Sequence, residues 1–424
     1  MLIRFRVENF RSIRDEQELS LVASPLSEHT ETLVHADRYE IDLLRTAAIY
    51  GPNASGKSTV FLALEFMQAA VEDSHRIWAP DRGVPRTPFA LDPAAAAEPS
   101  LFAVDLLLDG VRYEYGFVVD STHVHEEWLY AYPNGRKQEW FTRDASRAPE
   151  FTFSRNLKGE NRTIARFTRP NSLFLSVAAR NNHPMLDRVY AWFGSGLFMV
   201  SESSRAHLDL AGFSICQNEQ LGSDLLRILE LADLGISGLE VVEGDMSAYA
   251  SRLGLKAADP ELPVPPFSPR PATTVRLRHR AGAGEDVALP FEQESQGTQT
   301  LFAMAGIIMA VLGTGGVMVV DELDRSLHTH LALSIIRMFT NPETNPNNAQ
   351  LIFNTHDTNL LDTSILRRDQ IWFTEKGQDG ATRLFPLTDF RARKHENLER
   401  GYLQGRYGAV PAIGEPNLGL TAGD

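Results

Sequence analysis

The chain has 424 residues, of which 43% are hydrophobic and 23% are charged, and its formal net charge is −14. This composition is that of a globular protein of about three domains at most. The acidic balance excludes a general attraction to nucleic acid, although it leaves room for a local basic groove. The single cysteine, Cys216, excludes an intrachain disulfide and a cysteine-based metal cluster. We therefore expect a cytoplasmic protein.

The N-terminal part of the chain predicts strands, a loop and a helix. Met1–Glu8 alternates charged and apolar residues, which is typical of a strand and unlike a signal peptide. A turn near Ser12–Glu16 follows. Arg45–Tyr50 predicts a short apolar strand, and a glycine-rich loop then leads into a helix over residues 57–71. Residues 73–100 are rich in proline, aspartate and alanine, and they predict a loop.

The middle of the chain predicts antiparallel hairpins and then helices. Apolar residues alternate through residues 101–145, with turns at Asp109–Gly110 and Pro133–Gly135. Residues 172–236 are predicted to be mainly helical, because apolar residues recur at helical spacing from Leu225 to Ala232.

Later segments predict a connector, a hairpin and the remaining elements. The prolines of residues 259–271 predict an extended connector, and Val275–Leu289 predicts a hairpin that turns at Gly282–Gly284. A helix over Leu331–Phe339 and a buried strand over Gln350–Asn354 come next. The chain is predicted to be loosely structured after about Pro411.

One stretch has the length of a membrane span. No charged residue occurs from Leu301 to Val320, and twenty such residues would cross a bilayer as a helix. Glycines at 313, 315 and 316 interrupt this run, and Asp321 and Glu322 follow it directly. We therefore predict a buried helix, a turn and a buried strand, and no membrane association.

The loop after the strand Arg45–Tyr50 has the spacing GxxxxGK(S/T). In such a loop, glycines let backbone N–H groups face phosphate oxygens, and the following helix adds its positive N-terminal end. Lys57 is predicted to reach the β- and γ-phosphates of ATP, and Ser58 to ligate Mg²⁺. The alternative is a glycine-rich turn with an incidental lysine. The predicted nucleotide-binding residues are Gly51, Asn53, Ala54, Ser55, Gly56, Lys57, Ser58 and Thr59.

A second motif is an apolar strand that ends in two carboxylates. Val317–Val320 predicts a buried parallel strand, whose carboxyl end opens at the ligand crevice. Asp321 is predicted to hold Mg²⁺, through water. Glu322 is predicted to orient or deprotonate the attacking water. The alternative is a pair of helix-capping residues at a strand-to-helix turn.

The segment Glu294–Thr298 resembles the signature of ABC-type ATPases, a Ser-Gly-Gly stretch that opens a helix. Ser295 and Gly297 match its serine and second glycine, whereas Gln296 departs from its first glycine. The resemblance implies that this segment contacts the γ-phosphate held by the other subunit of a dimer. The alternative is a plain helix N-cap at Ser295.

Two further segments follow in the order of ABC-type ATPases. Asp324–His328 stands where that family has its D-loop. His356 follows the strand Leu351–Asn354 and matches the family's switch histidine, a γ-phosphate sensor; the alternative is a structural histidine. The predicted catalytic residues are Lys57, Glu322 and His356. His328 and His330 are interpreted as surface or interface residues. The family's glutamine loop is not identifiable, since Gln68 lies on the first helix.

The long separation between Ser58 and Glu294, about 235 residues, predicts a globular insertion, because no long heptad run fills it. Together the motifs resemble prokaryotic RloA/AbiL-type ATPases, relatives of the OLD, RecF and SMC heads. The fold so implied is α/β, a P-loop head of ABC type with an N-terminal antiparallel β subdomain and an α+β insertion. The resemblance rests on residues 9–13, 51–59, 294–298, 321–327, 354–357 and 405–409.

We predict three parts of the chain from these motifs. Residues 1–150 form an N-terminal ATPase lobe, residues 151–272 a mostly helical insertion with the connector, and residues 273–424 a C-terminal ATPase lobe.

Two roles fit Arg11. It either approaches the nucleotide, as N-terminal basic residues do in related heads, or forms an ion pair on the surface.

The resemblance implies an ATPase that works as a homodimer or higher homo-oligomer. OLD proteins have a C-terminal nuclease, whereas this chain ends about 70 residues after His356. The expected role is therefore regulatory, with a separately encoded nuclease or other effector, in defence against phage. The alternative is a DNA-repair ATPase, for which the basic residues Arg276, Arg278, His279, Arg280, Arg367 and Arg368 are candidates, unless they line solvated faces. A transporter ATPase fits poorly with the insertion.

Overall fold

The computed structural model describes residues 1–201, 209, 212–213, 215–230, 235–243, 273–281, 286–325, 327–390 and 396–410. Five predicted features lie wholly or partly outside the described residues. They are residues 202–208, 210–211, 214 and 231–234 of the predicted helical segment, the connector 259–271, the turn 282–284, Ser326 of the predicted D-loop and the segment from residue 411 onward.

The strands are, in chain order, β1 Leu2–Glu8, β2 Gln17–Ser20, β3 Val34–Ala36, β4 Ile41–Leu43, β5 Thr46–Tyr50, β6 Ser100–Leu108, β7 Val111–Val119, β8 Val124–Tyr132, β9 Gln138–Asp144, β10 Phe151–Phe153, β11 Leu197–Val200, β12 Ile236–Glu243, β13 Thr273–His279, β14 Val287–Pro290, β15 Val317–Val320, β16 Gln350–Asn354, β17 Ile371–Lys376 and β18 Thr382–Pro386. The described helices are α1 Lys57–Asp73, α2 Pro93–Ala97, α3 Asn161–Phe167, α4 Phe174–Arg180, α5 Asp187–Ala191, α6 Glu219–Glu230, α7 Gln296–Thr314, α8 Thr329–Thr340 and α9 Leu398–Leu403.

The core sheet has the strand order β11-β15-β16-β5-β17-β18, and only the β17–β18 pair is antiparallel. Every residue of β5, β15 and β16 is buried, which explains their continuous apolar sequences, since helices cover both faces of a parallel sheet. Because β15, β16 and β5 are parallel neighbours, the residues that follow them meet at one edge of the sheet.

A second, antiparallel sheet has the order β10-β9-β8-β7-β6-β1-β2. Its inner face and α1 share one hydrophobic core, in which the rings of Phe66 and Phe102 are 4.8 Å apart. The opposite side of the core sheet packs against α7 and α8. The predicted α/β class, the parallel sheet that holds the phosphate loop and the N-terminal antiparallel sheet are therefore confirmed.

Helix α7 is, among the described residues, the one helix long and apolar enough to cross a membrane. It has 19 residues, and 56% of its most apolar window is buried inside the protein. It ends at Gly315, whose φ of +72° favours glycine, and β15 follows after Gly316. Its packing against β15 and α6 makes it a core helix, as predicted from the glycines.

The prediction that residues 172–236 are mainly helical is wrong at β11. Leu197–Val200 pairs in parallel with Val317–Val320 at the edge of the core sheet. Periodicity does not separate a four-residue apolar strand from a buried piece of helix, so the local sequence does not distinguish the two. The predicted boundaries at 150 and 272 stay predictions, and β11 shows that the segment between them contributes to the core sheet.

Two smaller differences concern other predicted segments. The predicted loop 73–100 contains the short helix α2, which is capped by Asp92. The predicted hairpin Val275–Leu289 is confirmed as β13 and β14, and β12 extends it to a three-stranded sheet.

Candidate nucleotide-binding site

The phosphate loop connects β5 to α1, as the spacing predicts. Gly56 caps α1 with a φ of +106°, a value that favours glycine, and a Cβ atom there would collide with Thr382. Asn53 and Ala54 are exposed on the outside of the loop, whereas Ser55 is buried. The loop therefore requires glycine at position 56 and presents the N-terminus of α1 at the sheet edge.

The Lys57 side chain lies inside the loop. Its residue is 6% exposed, and Nζ donates hydrogen bonds to the carbonyl oxygens of Gly51 at 2.8 Å and Pro52 at 3.2 Å. Burial lowers the pKa of Lys57, and the nearby carboxylates of Glu322 and Asp321 oppose this effect. The loop lysine therefore faces the acidic strand end.

Ser58 and Asp321 are in contact, although 263 positions separate them in the chain. The Ser58 hydroxyl donates to Asp321 Oδ1 at 2.9 Å. Ser58 lies in the first turn of α1, and Asp321 directly follows β15. A hydroxyl and a carboxylate are oxygen ligands of the kind that Mg²⁺ prefers, so this pair fits the predicted metal site.

Glu322 has an unusual backbone conformation, with a φ of +60°. Residues other than glycine rarely adopt this conformation, and it often marks functional sites. Its side chain is 43% exposed, and its Oε2 lies 3.7 Å from Nη1 of Arg325. The carboxylate is thus open to solvent beside the phosphate loop, where a water molecule can reach it.

Asn354 joins the two acidic residues and was not predicted from the sequence. Its Nδ2 donates to Asp321 Oδ1 at 2.5 Å, and its Oδ1 accepts the N–H of Glu322 at 2.7 Å. Its backbone carbonyl also accepts the N–H of Leu323 at 3.0 Å. The side chain is fully buried. A signal was present in the sequence, namely an amide at the end of the apolar strand β16.

His356 follows β16 at the same edge of the sheet, as predicted. It is exposed, and its N–H lies 3.3 Å from Asp324 Oδ1. The hydroxyl of Thr355 donates to the same oxygen at 2.7 Å, and the N–H of Thr355 donates to Ile49 O of β5 at 3.3 Å. Asp324, in the predicted D-loop, thereby fixes the backbone that carries His356 next to the phosphate-loop strand.

Strands β17 and β18 brace the phosphate loop through hydroxyl groups that were also not predicted. Ser55 Oγ lies 2.6 Å from Thr374 Oγ1. Thr382 Oγ1 lies 2.8 Å from both Ser55 O and Ser12 Oγ. Ser12 Oγ is in turn 3.0 Å from Thr59 Oγ1. The N-terminal segment and β18 therefore hold the loop from one side.

Arg11 lies beside this brace. It is exposed, has a φ of +50°, and donates its backbone N–H to Thr87 O at 2.8 Å. Its guanidinium carbon is 5.8 Å from the centre of the Phe10 ring. Both predicted roles of Arg11 require an exposed position, which it has.

The predicted signature opens α7. Ser295 is the N-cap, and its Oγ accepts the N–H of Thr298 at 3.1 Å. Ser295 and Gln296 are exposed, and Gly297 is half-buried. The side chain of the preceding Glu294 is 4% exposed and pairs with His279 Nε2 at 2.7 Å. Ser295 therefore caps its own helix, as the alternative interpretation predicts, and the N-terminus of α7 faces solvent.

The two predicted basic clusters differ in exposure. Arg276 and Arg278 are exposed on β13, and Nε of Arg278 donates to Glu240 Oε1 at 2.7 Å. Arg367 is instead fully buried and pairs with Asp369 at 2.7 Å. Arg368 pairs with Glu28 at 2.8 Å. The interpretation of Arg367 as part of a basic surface is therefore wrong, because its charge is neutralised in the core.

The remaining predicted positions have structural roles or lie at the surface. Gln68 donates to the carbonyl oxygens of Phe193 at 2.6 Å and Leu197 at 3.0 Å, so it ties α1 to β11. His328 and His330 are exposed, and their rings stack at 5.1 Å.

Comparisons with known proteins give one family match. The family model described as "AAA domain, putative AbiEii toxin, Type IV TA system" matches residues 47–362. No curated protein matches the chain.

Solved structures of SMC heads are similar at low identity. The SmcHead bound to the C-winged helix domain of ScpA is 13% identical, with 91% of this chain and 96% of that chain covered and a TM-score of 0.47. The SMC head domain from Thermotoga maritima is 12% identical, with 91% and 98% covered and a TM-score of 0.42. The Smc head domain bound to the C-terminal domain of ScpA derived from Pyrococcus furiosus is 13% identical, with 92% and 97% covered and a TM-score of 0.41.

Proposed function

Because this chain belongs to the family described as "AAA domain, putative AbiEii toxin, Type IV TA system", we propose that it is an ATPase whose site is completed by a second copy of the chain. The contact between Ser58 and Asp321 carries the ATPase part of this proposal. A phosphate loop alone binds phosphate, whereas hydrolysis also needs a metal ligand and a residue that activates water. The contact between Ser58 and Asp321 brings the phosphate loop and the acidic end of β15 together.

ATP binding is assigned to the phosphate loop. The N–H groups of the loop and the N-terminus of α1 face the phosphates, and Lys57 neutralises their charge. Ser58 and Asp321 would hold Mg²⁺, which would draw negative charge from the β- and γ-phosphate oxygens. The oxygen atoms of these two side chains, 2.9 Å apart, fit that ion.

Hydrolysis is assigned to Glu322 and His356. The half-exposed carboxylate of Glu322 orients a water molecule and accepts its proton. The water oxygen bonds to the γ-phosphorus as the bond to the β–γ bridging oxygen breaks, and ADP and phosphate leave. His356, fixed by Asp324 at the same sheet edge, hydrogen-bonds the γ-phosphate.

The shared site is inferred from the outward-facing start of α7. Ser295 caps its own helix, and Ser295 and Gln296 are exposed. A helix N-terminus favours an anion, so a second copy can offer this end to the γ-phosphate. ATP then joins two chains, and hydrolysis separates them.

The biological role that we propose is regulatory. The family description names a toxin and a type IV toxin–antitoxin system, which supports action in prokaryotic defence beside a separately encoded nuclease or other effector. The finer resemblance to RloA/AbiL-type ATPases supports the same role. In this proposal the effector responds to the ATP-dependent dimer.

A DNA-binding repair ATPase is the second candidate. Arg276, Arg278 and Arg280 are exposed on or beside β13, which supports it, although Glu240 neutralises Arg278. DNA binding that persists at about 150 mM salt and weakens on substitution of Arg276 and Arg280 would favour this candidate.

Phosphate release from ATP tests the ATPase proposal. Wild-type protein with Mg²⁺ should hydrolyse ATP, and Glu322→Gln should bind ATP normally but hydrolyse it at least about 100-fold more slowly, because the proton acceptor is lost. Glu343→Gln, at an exposed glutamate outside the proposed site, is the matched control. Wild-type turnover in Glu322→Gln would contradict the assignment.

A further inference from the structure

The turn between β7 and β8 brings together three side chains that can ligate a metal, Asp120, His123 and His125. Each offers one ligand atom, and the three atoms lie within 4.8 Å of one another. The cluster belongs to the antiparallel sheet and not to the core sheet that holds the phosphate loop. It is therefore distinct from the proposed Mg²⁺ site.

The sequence His-Val-His explains why the two imidazoles meet. Alternate residues of an extended chain point to the same side, and Val124 between them is fully buried. Both histidines consequently face away from the core, with their ring centres 4.1 Å apart. Their side chains are 34% and 35% exposed, so an ion from solvent can reach them.

Asp120 is fixed in position by the turn. Its Oδ1 accepts the N–H groups of Thr122 at 2.6 Å and His123 at 2.8 Å, and its Oδ2 lies 2.9 Å from His125 Nε2. Oδ1 of Asp120 thus holds the turn, and Oδ2 faces the histidine ring of His125.

Thr122 orients the ring of His123. Its Oγ1 lies 2.7 Å from His123 Nδ1 and 2.6 Å from Asp120 Oδ1. The same ring nitrogen lies 3.4 Å from Asp120 Oδ1. These contacts fix the orientation of the His123 ring beside the carboxylate.

We propose that Asp120, His123 and His125 bind a divalent transition-metal cation of the Zn²⁺ class. Two imidazoles and one carboxylate suit such a cation, whereas Mg²⁺ and Ca²⁺ prefer oxygen ligands alone. Ligands about 2.0–2.1 Å from a tetrahedral ion are roughly 3.4 Å apart, so small side-chain rotations suffice. Water supplies the fourth ligand, and the ion replaces the contact between His125 and Asp120.

Titration of the metal-stripped full-length protein tests this site. Zn²⁺ would be added in the calorimeter and Co²⁺ in the visible spectrometer, both without nucleotide and with excess Mg²⁺ to occupy the phosphate-loop site. Wild type should bind one equivalent and give a Co²⁺ absorption band. His123→Gln and His125→Gln should bind at least about tenfold more weakly and lose the band. His35→Ala, which removes an exposed histidine paired with Asp42, is the matched control and should bind like wild type.

Asp120→Asn distinguishes an effect on metal binding from an effect on the stability of the turn. The asparagine carbonyl can accept the same two N–H groups and only the contact with His125 is altered, so the melting temperature of the metal-free protein should change little, whereas Zn²⁺ affinity should fall. Zn²⁺ should raise the melting temperature of wild type but not of the histidine variants. Absence of stoichiometric binding in wild type, or equal affinity in the histidine variants, would overturn the proposal. Neither outcome depends on ATP hydrolysis.

Discussion

The side-chain oxygen of Asn354 accepts the backbone N–H of Glu322 at 2.7 Å. Glu322 has a φ of +60°, a conformation that costs a residue other than glycine of order 1–3 kcal/mol and persists only where its surroundings hold it. The same amide donates to Asp321. One buried side chain at the end of β16 therefore positions the proposed metal ligand and the proposed proton acceptor relative to each other.

Asn354→Ala should impair hydrolysis more than binding. Loss of the amide frees the carboxylate of Asp321 and the backbone of Glu322. Misplacement of such groups by about 1 Å can cost about 100-fold in rate. We expect kcat to fall about 10- to 100-fold while the affinity for ATP changes little. The measurement is steady-state ATP hydrolysis alongside equilibrium ATP binding. Asn347→Ala, an exposed asparagine that bonds Leu312 O, is the control, and an unchanged kcat in Asn354→Ala would contradict the assigned position.

Lys57→Ala should abolish nucleotide binding. The ammonium group lies inside the loop and is the cation that the phosphates meet there. We expect the affinity for a fluorescent ATP analogue to fall at least about 100-fold, as for a lost charge-assisted contact of about 3 kcal/mol. Lys376→Ala, at an exposed lysine, should bind as wild type does. Tight binding by Lys57→Ala would place the nucleotide elsewhere.

Thr382→Val tests the brace beneath the phosphate loop. Valine keeps the shape of threonine but leaves Ser55 O and Ser12 Oγ without the hydroxyl at 2.8 Å. An unsatisfied buried polar group costs about 1–3 kcal/mol, so the free energy of unfolding in urea should fall by that amount. Thr382→Ser retains the hydroxyl and should lose less. A larger loss in Thr382→Ser than in Thr382→Val would instead assign the contribution of this residue to its methyl group.

His183 should make stability depend on pH. It is 1% exposed, lies with Nε2 2.8 Å from Asn161 Oδ1, and accepts the N–H of Leu186 at Nδ1. Burial lowers its pKa, so the folded state favours the neutral ring. The stability due to His183 is present above its unfolded-state pKa of about 6.5 and is lost as the pH falls below it.

His183→Gln should therefore show a shallower loss of unfolding free energy between pH 7 and about 5.5 than wild type. Urea denaturation at several pH values measures this slope. His330→Gln, at an exposed histidine, should keep the slope of wild type. Identical slopes in wild type and His183→Gln would show that this ring does not titrate within the transition.

The core of the site is predictable from the sequence because each part follows a short apolar strand. Lys57, Asp321 and His356 all stand just beyond β5, β15 or β16, and the parallel order of these strands brings the ends together. Local pattern and fold point to the same edge of the sheet. The structure places the three residues at that edge, and their roles stay predictions.

Other features depend on contacts between distant segments. Thr382 meets Ser12 across 370 positions of the chain, and Asn354 acquires its role only where β16 lies beside β15. The strand β11 becomes recognisable only through its pairing with β15. No local periodicity encodes such pairings, which explains why sequence patterns did not reveal them.

The shared site is the central claim, and the solution mass of Glu322→Gln with and without ATP and Mg²⁺ tests it most directly. Light scattering should give the mass of one chain without nucleotide and of two chains with it. Ser295→Arg in the same background should abolish the dimer, whereas Ser195→Arg, at another exposed serine, should preserve it. A mass that does not change with ATP, or a dimer that Ser295→Arg leaves intact, would contradict a nucleotide site shared between two chains.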